Sequence, residues 1–206
     1  MLFYRIINYM EYTIVRTKGK NIRLTVDDEG LLVVKAPRNM SKERIEQILN
    51  KNFKIVQKTM EKGKYRAYGH MLESEGTILR LGEKIKLPSV DAKTVKKFYK
   101  EGRDFLKSRI YELSNVLGLP FRTLSFGSAK TLWGTSSRDK DIRLNDRLYS
   151  LPQHLIDYVI IHELVHTIEF NHSKTFWAYC EKIYPYAKKY RNELNEKYSW
   201  VFHIYR

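Results

Sequence analysis

Two histidines and a glutamate near residue 160 carry the clearest chemical signal in the chain. His162 and His166 are four residues apart, and Glu163 lies between them. On an α-helix this spacing places both imidazoles on one face, one turn apart, so that both can bind the same ion. The pattern His-Glu-x-x-His is typical of a zinc site in which the glutamate takes a proton from the attacking water. It predicts two metal ligands and a general base.

A third histidine, His172, follows six residues after His166. It can reach the same ion only if the chain turns after the helix. Asn171 tolerates the left-handed conformation that ends helices, and Ser173 can cap a new helix. We therefore expect His172 on the corner between two helices, as the third ligand of one Zn²⁺ ion. Three protein ligands leave a fourth position for water, which favours a catalytic over a structural site.

The composition bounds the class of protein. The single cysteine, Cys180, excludes an intramolecular disulfide framework and fits a reducing cytoplasm. No run of about 18 apolar residues occurs, so the sequence predicts no membrane-spanning helix. The start, residues 1–8, is short, and no small-residue cleavage site of a signal peptide follows it. We expect a cytoplasmic protein.

The chain is strongly basic, with 38 basic and 23 acidic residues and a net charge of +15. This charge predicts a polyanionic partner, most simply nucleic acid or a nucleotide. A solvated basic surface with no such partner is the alternative. Residues 1–120 hold 25 basic and 14 acidic residues, which leaves 13 and 9 for the remainder. The excess charge therefore lies mainly before the metal motif.

The hydrophobic pattern predicts two regions. Residues 1–90 are expected to form a strand-rich region with one helix, which runs from its cap at Ser41 to about Thr59. Residues 61–68 are polar and basic with one glycine, and this composition predicts a linker. Residues 91–206 are expected to form the hydrolase core.

The core region begins with a long predicted helix, capped by Asp91 and ending near Leu117. One face of this helix carries a basic stripe, which we predict as a nucleic-acid or anion site, with a solvated helix face as the alternative. The stripe consists of Lys93, Lys96, Lys97, Lys100, Arg103 and Lys107.

Three further residues are predicted to bind substrate. The strand at 142–145 is expected at the edge of a sheet beside the cleft, where it would pair with an extended peptide, and it carries Arg143 and Asn145. Tyr158 lies one helical turn before His162. Tyr158 and Arg143 are candidates for stabilising a developing oxyanion. A core position for Tyr158 and a surface position for Arg143 are the alternatives.

Several motifs follow one another in an order that resembles the YgjP-like metallopeptidase family, over nearly the whole chain. One departure is Ser136, at a position where the family often has cysteine. The motifs are Trp133-Gly134-Thr135-Ser136-Ser137, Ile142-Arg143-Leu144-Asn145, the segment 157–166, Asn171-His172-Ser173 with Phe176-Trp177, and Pro185.

The resemblance implies an α+β fold, in which a zincin-like metallopeptidase core follows an N-terminal region that is basic and built of strands and a helix. It also implies the zinc ligands and the general base already predicted from spacing. A more distant resemblance extends to the SprT-like proteases, which act on DNA–protein crosslinks. The metzincins differ, because they need glycine where this chain has Glu169 and a methionine turn afterwards, whereas no methionine follows Met71.

Three functions are compatible with the sequence. The first is a zinc peptidase that acts on a peptide or protein substrate, including proteins bound to nucleic acid. The second is a metal-dependent phosphohydrolase of nucleotides, since the same activated water can attack phosphorus. The third is a nucleic-acid-binding module with structural zinc, which would not need Glu163. The absence of a dedicated phosphate loop favours the peptidase, whereas the positive charge favours a phosphate-bearing substrate or scaffold.

Overall fold

The computed structural model describes residues 10–27 and 29–204. The amino-terminal stretch discussed above therefore lies outside the described residues. The chain forms two compact units, residues 1–71 and residues 72–206. The sequence predicted a boundary between residues 90 and 91, which is further along the chain than the boundary between the two compact units. The predicted division into domains stays a prediction.

The first unit is a small sheet covered by helices. The central strand is β3, which pairs in parallel with β1 and antiparallel with β2. Alternate residues of β3, Leu32, Val34 and Ala36, are buried and pack against helical residues such as Ile45 and Leu49. This alternation is what a sheet with one buried face requires. The elements are β1 (Tyr12–Thr17), β2 (Arg23–Val26), β3 (Leu32–Pro37), α1 (Lys42–Lys51) and α2 (Phe53–Ser74).

The predicted linker at 61–68 is wrong, because these residues lie within α2. The single predicted helix is in fact two helices, which meet at Asn52, whose side-chain amide donates to the carbonyl of Ile48. Gly63 explains the error. A Cβ added there would lie 2.7 Å from Cγ1 of Val26. Gly63 lets α2 approach β2 closely. In the sequence, a glycine within a basic segment had suggested a flexible linker instead.

The second unit is a mixed α+β structure, which confirms the predicted fold class. Its largest sheet has the order β6-β8-β7, with β8 parallel to β6 and antiparallel to β7. Two short 3-10 segments, at 146–150 and 199–202, complete the unit. The elements are β4 (Thr77–Arg80), β5 (Glu83–Lys86), α3 (Ala92–Leu117), β6 (Thr123–Gly127), β7 (Gly134–Ser136), β8 (Asp141–Asn145), α4 (Gln153–Val165), α5 (Lys174–Ile183) and α6 (Ala187–Lys197).

Strand β8 is not an edge strand, contrary to the expectation for residues 142–145. It lies between β6 and β7, so both of its edges are occupied by ladder hydrogen bonds. Ile142 and Leu144 are fully buried, whereas Arg143 is exposed on the opposite face. The edge strand next to the metal motif is β7, because Gly134 at its start lies against Glu163.

Helix α4, which carries the metal motif, is buried on nearly all sides. Every residue from Leu155 to Ile161 is buried, as expected for a helix that is apolar around its whole circumference. One charged residue in this stretch, Asp157, is held by Arg109 of α3. The Nε and Nη2 atoms of Arg109 donate to the two carboxylate oxygens at 2.7 and 2.8 Å. This bidentate pair fixes α4 against α3.

Replacing Arg109 with alanine is expected to destabilise the protein, because Asp157, whose side chain is only 9% exposed, would keep a buried charge without its partner. We expect the free energy of unfolding to fall by about 2–3 kcal/mol, somewhat less than the loss of about 3–5 kcal/mol for fully buried pairs, because Arg109 is itself 25% exposed. Denaturant unfolding measures the change.

Arg122 offers a matched control, because it forms a similar bidentate pair with Asp141 that is exposed to solvent. Arg122→Ala should change the midpoint of unfolding much less than Arg109→Ala. Equal losses in the two variants would contradict the view that the buried pair fixes α4.

Candidate metal centre

Three histidine side chains converge at the carboxyl end of α4. The Nε2 atom of His172 lies 2.9 Å from Nε2 of His162 and 3.2 Å from Nε2 of His166. Three nitrogens bound to one tetrahedral zinc ion, each at about 2.0–2.1 Å from the metal, stand about 3.3 Å apart. The two distances from His172 are close to this spacing, and the candidate ligand atoms of all three histidines lie within 4.8 Å of one another.

The local chain turn brings the third histidine to the other two. Helix α4 ends at Val165, and His166 is its C-terminal cap residue. The chain then turns through Thr167 and Ile168, whose amides bond back to the last helical carbonyls. Ser173 caps α5 as predicted, since its hydroxyl accepts a hydrogen bond from the amide of Phe176 at 3.1 Å. His172 thus lies in the connection between two helices, as expected from the sequence.

The expected cause of this turn was wrong in one respect. The only non-glycine residues with positive φ in the described ranges are Leu81, Lys140 and Tyr186. Asn171 is therefore not in the left-handed conformation, and α4 ends several residues before it. A tight turn with αR geometry at His166 terminates the helix instead.

Hydrogen bonds to the opposite ring nitrogens orient two of the imidazoles. Nδ1 of His166 lies 2.8 Å from the carbonyl oxygen of Glu169, and Nδ1 of His162 lies 3.4 Å from the hydroxyl of Tyr158. A proton on Nδ1 that is donated to the carbonyl leaves Nε2 of His166 free to bind a metal. Such partners fix the ring orientation and the tautomer of metal-binding histidines.

Aromatic residues of α5 form the wall behind the histidines. Phe176 is fully buried, and its ring centroid lies 4.4 to 4.9 Å from those of all three imidazoles. Trp177 stacks on His172 with an interplanar angle of 27°, and the guanidinium of Arg191 lies 5.1 Å from the centroid of the indole. These contacts hold the rings rigidly and exclude water from one side of the site.

The electrostatic environment keeps the histidines in their neutral form, which is the form that binds metal. Burial, together with the smaller effects of the neighbouring His166 and His172, lowers the pKa of His162 to about 3. Burial also lowers the pKa of His166 and of His172. The three imidazoles therefore resist protonation. In the neutral form, each ring has a nitrogen lone pair that can bind a divalent cation.

Glu163 is buried and packed against the start of β7. It is 6% exposed, and burial raises the pKa of its carboxyl to about 8. A Cβ added at Gly134 would lie 2.7 Å from Cγ and 2.8 Å from Oε1 of Glu163. Glycine at position 134 is thus required for the glutamate to occupy its place, and no bulkier residue fits there without moving it.

The predicted substrate residues lie in three different settings. Tyr158 contacts His162 and is 5% exposed, which places it beside the metal centre. The side chain of Asn145 donates to the carbonyls of Ala129 and Leu132 and holds that loop in place. Arg143 points away from the face of the sheet that carries Leu144. Their function in substrate binding stays a prediction.

The predicted basic stripe is largely exposed on α3, but its members differ. Arg103 forms a bidentate pair with Asp146, with distances of 2.7 and 2.8 Å. Lys97 lies 3.8 Å from a carboxylate oxygen of Glu101. The exposed members are Lys93, Lys96, Lys97, Lys100 and Lys107. Anion binding by the stripe stays a prediction.

Sequence reasoning missed two features of the site. Gly134 supports the glutamate, and the carbonyl of Glu169 orients His166. The sequence carried a signal for Gly134, because glycine in a strand often marks a close approach of another group. The carbonyl has no sequence signal, because every residue has one.

The buried helix with its His-Glu-x-x-His motif, the third histidine and the buried glutamate form the arrangement that is expected of a metal-dependent hydrolase centre. Comparison with known families agrees. A family profile described as "YgjP-like, metallopeptidase domain" matches residues 20–98 and 88–197. The chain belongs to this metallopeptidase family, which confirms the resemblance inferred from its motifs. Neither curated proteins nor solved structures gave a match.

The described helices do not include a membrane span, because none is both long enough and apolar enough to cross a bilayer. Helix α3 has the length, but charged residues occur throughout it.

Substitution of any one of the three histidines by alanine should abolish tight zinc binding, because two ligands hold the ion far less well than three. Metal content after dialysis against buffered free zinc measures this. His154→Ala is the control, since His154 lies on the same helix and contacts Glu193 rather than the cluster. Full zinc retention by the His172→Ala variant would exclude His172 as a ligand.

Proposed function

We propose that this protein is a zinc-dependent peptidase in which Glu163 is the general base and His162, His166 and His172 hold the metal. One observation carries the proposal. The Nε2 atom of His172 comes within 2.9–3.2 Å of the other two Nε2 atoms, at the end of a helix whose only buried carboxylate near them is Glu163. A structural site would not need that carboxylate.

The chain supplies the remaining parts of hydrolysis. Zinc, when bound, supplies Lewis-acid chemistry, which lowers the pKa of a water and polarises a carbonyl group. Glu163 accepts the proton of the attacking water at a carboxylate oxygen and then donates it to the leaving amine. Its burial favours proton uptake, because the neutral carboxyl is the form that a dry environment prefers. Phe176 and Trp177 keep the imidazoles in place throughout.

The substrate segment is proposed to lie along β7. This strand is at the edge of its sheet, and its first residue contacts Glu163. An extended peptide can add to such an edge through main-chain hydrogen bonds. Strand β7 therefore has the edge position that the sequence predicted for residues 142–145.

A narrower form of the proposal concerns the substrate. The net charge of +15 and the exposed lysines of α3 support proteins associated with nucleic acid as substrates. A cytoplasmic location is supported by a single cysteine, Cys180, which is buried and has no disulfide partner.

Glu163→Gln should retain zinc and lose at least a hundredfold in hydrolysis of casein, because glutamine cannot accept the proton. Glu169→Gln is the control, since it keeps the main-chain carbonyl that orients His166. Casein and nucleoside triphosphates are tested side by side, with and without single-stranded DNA. Retained activity in Glu163→Gln would refute the general base. Phosphate release with casein untouched would replace the peptidase by a phosphohydrolase.

Gly134→Ala should keep zinc but lower hydrolysis at least tenfold, because the new Cβ displaces the glutamate, and small displacements of a catalytic group are costly. Gly19→Ala is the control, since its new Cβ would make only an ordinary contact with Oγ1 of Thr17 at 3.5 Å. Equal activities in the two variants would show that the contact with Gly134 does not position Glu163.

A further inference from the structure

A concave site lies in the unit of residues 72–206, and none of its lining residues belongs to the candidate metal centre. It is a cleft of about 610 Å³ between the first half of α3, the end of β6 and the segment that follows β8. This volume falls within the range of pockets that hold small ligands. Its lining includes Arg143, which was predicted to bind substrate, but not the proposed zinc ligands or Glu163.

Positive charge dominates the lining of this cleft. Its only acidic lining residue is Asp146, which is already neutralised by its bidentate pair with Arg103. In the part of the chain that the structure describes, no carboxylate forms an ion pair with the other four cations. The five cationic residues are Lys96, Lys100, Arg103, Arg143 and Arg147.

Two of the arginines are held in place without an anionic partner. The Nε atom of Arg147 is buried and has no hydrogen-bond partner, and its guanidinium lies 5.8 Å from the centroid of Tyr99. Arg143 lies against Gly127, where an added Cβ would come within 2.5 Å of two guanidinium nitrogens. A buried donor without a partner is uncommon in folded proteins and requires an explanation. An anion bound in the cleft would give the guanidinium groups of Arg143 and Arg147 a charged partner.

The chemistry of the lining favours phosphate over other anions. Guanidinium groups match the oxygens of phosphate with paired hydrogen bonds, and one phosphate group carries more charge than one carboxylate. Among the described residues, the only aromatic side chain in the lining is that of Tyr99. It is 6% exposed, and its hydroxyl bonds to Ser150 at 3.1 Å. The cleft therefore lacks a platform for stacking bases. Recognition must rest on the phosphate group itself.

We propose that this cleft is a binding site for a phosphate-bearing ligand, separate from the metal centre. The site differs from the basic stripe predicted on α3. It uses Lys96, Lys100 and Arg103 of that stripe and adds Arg143 and Arg147. The other members of the stripe, Lys93, Lys97 and Lys107, lie outside it. The tertiary structure thus selects a cluster of cations from two segments that are distant in the sequence.

The test compares two double variants of the full-length protein. Lys96→Gln with Lys100→Gln removes two charges from the cleft, and Lys93→Gln with Lys107→Gln removes two from the same helix outside it. Calorimetric titration uses inorganic pyrophosphate and, separately, a short oligothymidylate. We expect the cleft variant to bind at least tenfold more weakly and the control to bind within twofold of the unchanged protein. Thermal unfolding verifies that both variants fold.

The outcomes are distinct. Cleft-dependent binding of pyrophosphate identifies a free phosphate compound as the ligand source. Cleft-dependent binding of oligothymidylate alone identifies a phosphodiester strand. Both double variants keep the metal centre, so anion binding at the metal affects them equally. Equal weakening in the two variants, or binding of neither probe by the unchanged protein, overturns the proposal.

Discussion

In the second unit, the neutral imidazoles of His162, His166 and His172 must converge on one point. Helix α4, at whose end His162 and His166 lie, is buried on nearly all sides. Burial lowers the pKa values of the histidines and raises that of Glu163, so the same constraint acts on the proposed ligands and on the proposed base. A buried helix cannot easily carry charge, and its one other acid, Asp157, is neutralised by Arg109. The site is therefore built where only paired or neutral polar groups are tolerated.

Close approaches of glycine to side chains recur where the fold must be tight. Gly134 admits Glu163 beside β7, and Gly102 of α3 admits Tyr149, whose Cγ would lie 2.3 Å from an added Cβ. In both cases the missing side chain is replaced by a larger group from another element. Such contacts fix the distance between two elements strictly, because any side chain at the glycine would overlap with the neighbouring group.

The arginines divide into those that support the fold and those that remain available. Arg103 and Arg109 each hold a buried or nearly buried carboxylate and connect α3 to the segments that follow the sheet. Arg143 and Arg147 have no such partner and face a cleft. The large positive charge of the chain is thus partly structural and partly available for binding, and composition alone cannot separate the two.

The sequence by itself determined the metal motif, the caps at Asp91 and Ser173, the mixed fold class and the family, because these depend on residue types at short fixed spacings. It did not determine that residues 61–68 are helical, that β8 is central or that α4 ends at Val165. Only the tertiary structure decided these points, since each depends on what lies opposite in space. The contacts of Gly63 with Val26 and of Gly134 with Glu163 show the reason. In the sequence, a glycine in a flexible loop looks the same as a glycine that makes room for another element. Only the residue that packs against it in the folded chain tells the two cases apart.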